Sequence, residues 1–241
     1  MGAKRMYGLL QEQWKTIYRI FNLHRDALHW VKLFGSRARG DHRTASDIDL
    51  AVAGKGGIRE RLARAFDESA LPYTFDIVDY ENQSNARLRH AVDADGVLLW
   101  KKEGGAAYMT NTQLRLKWEE YDRALQRLHI ALAKEPDVDE MYLDATIQRF
   151  EFCFELAWKL MKAVLDYEGI AVNSPRSSIR ESWKQGLISD AEAWLAMLER
   201  RNLSAHTYHE ETAKKIYRAI RETDIVLLSD FGAGIAERTQ G

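Results

Sequence analysis

Hydrophobic and polar positions along the chain fall into two regimes. Up to about residue 102, short runs rich in β-branched and aromatic residues alternate with helical stretches: VKLFG (31–35), DIDLAVA (47–53), YTFDIVDY (73–80) and VLLW (97–100) read as strands. Between them, residues 57–70 and 82–95 carry apolar side chains three and four apart, so each should lay one face on a sheet. The pattern then changes at EGGAAYMTN (103–111), where paired glycines and small residues separate the last strand from a long helical pattern, and a domain boundary is expected there. Beyond it every long segment has helical periodicity, giving helices over about 110–133, 138–168, 175–186, 190–202 and 207–228. The second of these is apolar nearly all the way round and ends at Gly169, so it should form the centre of a bundle. Its polar stripe, Glu151, Glu155, Lys159 and Lys162, reads as a solvated face with one helical ion pair, Glu155 to Lys159. The expected class is α+β, a sheet domain followed by an all-helical one.

Composition narrows the picture. The 241 residues carry 35 Lys and Arg against 36 Asp and Glu, so no global basic field marks a nonspecific nucleic-acid binder, although a local basic site is compatible with this balance. The single cysteine, Cys153, excludes a disulfide framework and a cysteine-based zinc site, and its apolar surroundings make it a small core residue. The tryptophans of the helical half, among them Trp118, Trp158, Trp183 and Trp194, read as core or interface. No run is long and uncharged enough for a membrane span, and no targeting segment is recognisable, so a cytoplasmic location without membrane association is expected.

The most informative stretch is LFGSRARGDHRTASDIDLAV (33–52). Strand alternation puts Asp47 and Asp49 on one face, where they would repel each other without a cation between them. Asp76, with Phe75 and Ile77 opposed to it, could join them from a neighbouring strand; Asp79 is the fallback if the register differs. Three carboxylates without His or Cys suit a hard ion, Mg2+ or Mn2+, that takes substrate phosphates as further ligands, so a nucleoside triphosphate is the implied partner. Upstream, Gly35 and Ser36 end a strand, and a turn there would aim backbone N–H groups and a hydroxyl at an anion, with Arg37 and Arg39 adding positive charge. Together these features ask for phosphoryl or nucleotidyl transfer.

Gly35-Ser36, ten intervening residues, then Asp47-Ile-Asp49 resembles the signature of the DNA polymerase β-like nucleotidyltransferases, and the compact length resembles their minimal nucleotidyltransferase (MNT) branch, over roughly residues 25–102. The resemblance implies that Gly35 and Ser36 hold the triphosphate, that Asp47 and Asp49 bind metal, and that Asp76 is the third carboxylate and base on the attacking hydroxyl.

A second constellation lies in ISDAEAWLAMLERRNLSAHTYHEETAKKIY (188–217). Two capping signatures, Ser189 with Glu192 and Thr207 with Glu210, predict a helix ending near Asn202 and another beginning near Thr207. That corner collects Arg201, Asn202, His206 and Tyr208. An arginine is a natural clamp for a phosphate gaining charge, and a neutral His at a helix start can act as a base, so RNA could be cut there without metal. The bland reading of surface and capping residues stands beside it, as does a low-ranking metal pair of His206 and His209, for which no third ligand is apparent.

RNLSAHTY resembles the Arg-x4-His-x-Tyr motif of HEPN (higher eukaryotes and prokaryotes nucleotide-binding) domains. With RFEFCFELAWK and SPRSSIRE it is similar to nucleotidyltransferase substrate-binding subunits over roughly 112–228. The resemblance implies an RNase pair, Arg201 and His206, assisted by Asn202; Tyr208 as acceptor of AMP from ATP; and a homodimer formed through the helical domain. Domains 1–104 (MNT) and 110–232 (HEPN-type) follow. The two parts resemble toxin and antitoxin, which are separate chains in those pairs, whereas fusion here implies a permanent restraint in which a bulky anion on Tyr208 blocks the RNase site. Two alternatives remain: a nucleotidyltransferase for a small molecule such as an aminoglycoside, with the helical domain as substrate-binding module, and a nucleotide-binding regulatory module without turnover.

Overall fold

Trp14, Ile17, Tyr18 and Phe21 recur at helical spacing and are all buried, so residues whose charges disguise the pattern form a helix, α1 (Gln11–Leu23). The computed structural model describes residues 5–103, 106–134, 141–204 and 210–240. The chain divides into two units, Met1–Thr112 and Gln113–Gly241.

In the first unit α1 is followed by β1 (Leu28–Phe34), α2 (Gly35–Arg39), β2 (Ile48–Gly54), α3 (Ile58–Asp67), β3 (Phe75–Asp79), α4 (Ala86–Asp95), β4 (Val97–Glu103) and β5 (Ala106–Tyr108). The strands form one sheet in the order β3-β2-β1-β4-β5. All pairs are antiparallel except β2 with β3, so the sheet is mixed. In β2, Ile48, Leu50, Ala51, Val52 and Ala53 are buried, as a central strand covered on both faces requires. Phe66 of α3 stacks on Phe75 and meets Phe21 of α1 edge-on, so α1 and α3 cover one face. On the other, Val92 of α4 packs with Phe34 and Ala51, and Val78 and Tyr80 lie against this cluster. Because Asp49 shares its face with Ala51, and Asp76 with Val78, α4 covers the same face that carries the carboxylates, farther along the strands.

All regular elements among the described residues of the second unit are helical: α5 (Asn111–Leu132), α6 (Met141–Tyr167), α7 (Pro175–Lys184), α8 (Ala191–Ser204), α9 (Glu210–Ala219), a π-helical turn Ile220–Asp224, and α10 (Ile225–Gln240). As its periodicity predicts, α6 is the central helix, with Phe150, Cys153, Phe154, Ala157, Leu160 and Met161 buried. Its end at Gly169 (φ +82°) is closed by the Ile170 N–H donating to the Leu165 carbonyl. The core joins Phe154, Trp194 and Phe231 ring to ring, with Tyr121 edge-on to Phe231 and its hydroxyl donating to the Leu228 carbonyl at 2.6 Å. A Cβ at Gly232 would lie 3.1 Å from the Tyr121 ring, so the missing side chain lets α10 approach α5. Trp183, in contrast, is half exposed.

Two boundaries differ from the sequence reading. α8 is capped by Asp190, whose carboxylate accepts from the Ala193 N–H, rather than by Ser189. The last helical run continues through the π-helical turn to residue 240 instead of ending near 228. The helix start expected at Thr207 lies outside the described residues. Among the described residues no helix is long and apolar enough to cross a membrane.

Candidate functional site

In the first unit the chain leaves β1 at Phe34 and turns sharply at Gly35 (φ +70°). A Cβ here would collide with the Asp49 carboxylate, so Gly35 is required both by its backbone conformation and by the close approach of the turn to β2. Ser36 follows in α2, a short helix that Gly40 closes in the left-handed conformation. The sheet register places Asp76 directly opposite Asp49, on the parallel pair β2 and β3. Asp47 stands one residue before β2 and is exposed, as is Asp76, whereas Asp49 is half-buried. Burial raises the Asp49 pKa, Asp76 and Asp47 add to this by repulsion, and Arg37 and Arg39 oppose it. The three carboxylates therefore share one electrostatic environment. The fallback, Asp79, pairs instead with Val52 and serves the turn after β3, accepting from the backbone of Glu81 and Asn82.

Among the described residues no three potential ligands already close into a cage. The donor set, oxygen only, is of the class that a hard divalent cation takes.

The two arginines of the turn separate in role. Arg37 is only 1% exposed. Its guanidinium donates to the carbonyls of Ser46, Asp47 and Tyr7 at 2.6 to 3.1 Å and lies over the Tyr73 ring. Three of its five N–H groups are thus held by the backbone, where it ties the N-terminal turn to the segment that carries Asp47, a structural role that the sequence reading did not assign to it. Arg39 is half-exposed, paired with Asp41 at 3.3 Å and Asp95 at 3.7 Å, and remains available to an anion. A cavity of 410 Å³ opens beside it, bordered also by Arg5, Tyr7, His42 and Thr44. Neither Arg5 nor His42 belongs to a motif, so sequence reasoning missed both; only the local density of basic residues hinted at them.

In the second unit Arg201 and Asn202 lie in the last turn of α8. Arg201 reaches Asn202 Oδ1 at 3.4 Å and stands 3.6 Å from Glu155 on α6. Glu155 also accepts from Trp158 Nε1 and pairs with Lys159, both at 2.9 Å. Burial pushes its pKa up, but Trp158, Lys159 and Arg201 outweigh this and leave it below the usual range. Ser204 hydrogen-bonds Glu151 and the Arg201 carbonyl. The stripe that read as a solvated face thus holds the end of α8, and its four-residue spacing was the signal. His206, Tyr208 and His209 lie outside the described residues, so the structure brings together Arg201 and Asn202 alone.

Residues 15–104 match the family "Polymerase beta, Nucleotidyltransferase" and residues 116–231 match "Nucleotidyltransferase substrate binding protein like". The chain is similar to the "Probable ribonuclease HepT" of Haemophilus influenzae, 33% identical over 99 residues, 39% of this chain and 66% of that protein. It is also similar to the "Probable protein adenylyltransferase MntA" of the same organism, 40% identical over 58 residues, 22% of this chain and 51% of that protein. It therefore spans about half the length of one curated relative and just under two thirds of the other. Among solved structures, the substrate-binding domain of a nucleotidyltransferase from Haemophilus influenzae is 23% identical, with 53% of this chain and 99% of that chain covered and a TM-score of 0.39.

Proposed function

We infer, for a chain that joins a polymerase β-type nucleotidyltransferase domain (15–104) to a domain of the nucleotidyltransferase substrate-binding-protein-like family (116–231), that the first domain transfers AMP from ATP onto Tyr208 and thereby restrains an RNase site built around Arg201 and His206. The observation that carries the transfer reaction is the packing of the Gly35 turn against Asp49 with Asp76 opposite in register. It sets a turn with backbone donors beside three carboxylates. Similarity to an adenylyltransferase over one part of the chain and to a ribonuclease over another supports the assignment of AMP as the group and of the helical domain as its recipient.

In the reaction proposed, the acceptor hydroxyl oxygen forms a bond to the α-phosphorus and the bond from that phosphorus to the pyrophosphate oxygen breaks. Asp76, exposed like Asp47, takes the hydroxyl proton. Gly35 and Ser36 hold the triphosphate, and Arg39 offsets charge on it. Asp47, Asp49 and Asp76 would hold Mg2+ or Mn2+, which when bound neutralises charge on the phosphates. On the helical domain, Arg201 and Asn202 would hold an RNA phosphate while His206 accepts a proton. An AMP group on Tyr208 would add a bulky anion two residues along the chain from His206, obstructing and repelling RNA.

Intact mass before and after incubation with ATP and Mg2+ tests this reading. Addition of one or more AMP units to the wild type, and none to Asp47→Ala/Asp49→Ala or to Tyr208→Phe, is expected. An unmodified starting protein that gains no mass would overturn self-modification and favour a small-molecule acceptor, the role suggested by the substrate-binding family description.

A further inference from the structure

A cavity of 270 Å³ lies in the helical unit between α6, α7 and α8, immediately beside Arg201. Phe154, Trp158 and Leu198 supply apolar wall, while Glu155, Arg201 and Asn202 stand at its polar side. Phosphate binding by Arg201 does not require such a space. A slot with two aromatic side chains and a few convergent polar groups is the form of a site for a flat, partly polar molecule. We propose that this cavity receives the base of an RNA nucleotide whose phosphate lies against Arg201, so that the helical domain selects where RNA is bound.

Four observations carry this beyond the phosphate contact. Trp158 is half-buried at the cavity, and an indole ring is a stacking platform for a nucleobase. Its Nε1–H is already engaged by Glu155, which fixes the ring in place. Glu155 is held ionised, and its carboxylate has acceptor capacity beyond the bonds it makes, so it can accept from an amino or imino edge of a base. Arg201 meets Glu155 only at 3.6 Å, outside hydrogen-bond distance, and Asn202 Oδ1 at a long 3.4 Å, so both contacts give way readily to the shorter bonds a phosphate offers. A second cation, Arg176, reaches the same cavity from the first turn of α7, paired with the exposed Glu199. Such an exposed pair exchanges readily for a phosphate. A peptide would also find aromatic walls here, but two arginines beside a flat apolar slot match the alternation of anionic phosphate and planar base in RNA.

The inference rests on the RNA-directed part of the proposed function, and its test separates the two. A short 2′-O-methyl oligoribonucleotide, which cannot be cut through its 2′ oxygen, is titrated against the full chain in EDTA, so that neither cleavage nor metal-dependent triphosphate binding contributes. Trp158→Leu, which keeps an apolar side chain without a ring, is expected to weaken binding about tenfold, the scale of one lost base stack, whereas Trp158→Phe stays close to wild type. Photo-crosslinking the wild-type chain to the same oligonucleotide carrying a thiolated base should place adducts within 154–158 or 174–176, and this arm does not depend on any variant folding. Equal affinity of Trp158→Leu and wild type, or crosslinks confined to other segments, would overturn the proposal. If the expected binding and crosslinks are found but unmodified protein does not cut RNA, the RNase reading fails and the base pocket stands. If RNA is cut while Trp158→Leu binds normally, the reverse holds.

Discussion

At the level of single residues, Arg37 and Arg39 show how two neighbouring cations diverge. Both lie in one basic turn and both invite assignment to phosphate. Arg37 instead satisfies three backbone carbonyls from a position almost out of solvent. Replacing it with Ala strands those carbonyls, and a loss of about 3 kcal/mol is expected in urea unfolding of the chain. Arg39→Ala should leave the unfolding midpoint unchanged and raise the KM for ATP, because its pairs are exposed and weak. Gly35→Ala meets both a left-handed backbone and the Asp49 carboxylate. Abolished ATP turnover, with about 2 kcal/mol lost in the same unfolding assay, is expected. At Cys153, burial pushes the thiol pKa up to about 12. The native protein should therefore resist a thiol reagent at pH 8 and react fully once unfolded. That the Gly35 turn, Asp49 and Asp76 would come together was legible in the sequence because strand alternation and a glycine turn are local rules. The burial of Arg37 was not, since its partners come from residues 7, 46 and 47 and no local rule anticipates that meeting.

Among the elements, the strands and α6 followed directly from periodicity, because their burial is set by the alternation or stripe itself. α1 was hidden because Glu12, Lys15 and Arg19 interrupt its apolar face in sequence while facing away from it in space. The π-helical turn was equally hidden. It places Asp224, fully buried, against Arg200 of α8, whose Nε donates to it at 3.0 Å. Such an insertion shifts the helical phase by one residue, and its pairing partner lies 24 positions away. Burial raises the Asp224 pKa, and Arg200 only partly counters this. Since the folded state binds the proton more tightly than the unfolded one, the Asp224 contribution is largest below the ordinary carboxylate pKa and declines as pH rises through the raised folded value. Comparing wild type with Asp224→Asn by denaturant unfolding across the acid range should show the wild type losing ground to the variant as pH increases through that window.

For the whole molecule, the sequence reading of a mixed-sheet unit followed by a helical one agrees with the two units observed. Covalent linkage keeps the transferase and its proposed acceptor in fixed stoichiometry, so the fraction of chains modified per unit time with ATP and Mg2+ should be independent of protein concentration over a wide dilution series. A rate that falls in proportion to dilution would instead require collision between separate molecules.

The hydrogen bond from Arg37 to the Tyr7 carbonyl ties the Gly35 turn to the stretch just ahead of α1. Tyr7 and Gly8 both adopt positive φ there, and a side chain at Gly8 would strike His42 and Arg37. Anyone tagging or redesigning residues 5–9 is thus editing the support of the proposed nucleotide site, and those residues should be regarded as out of bounds for such engineering.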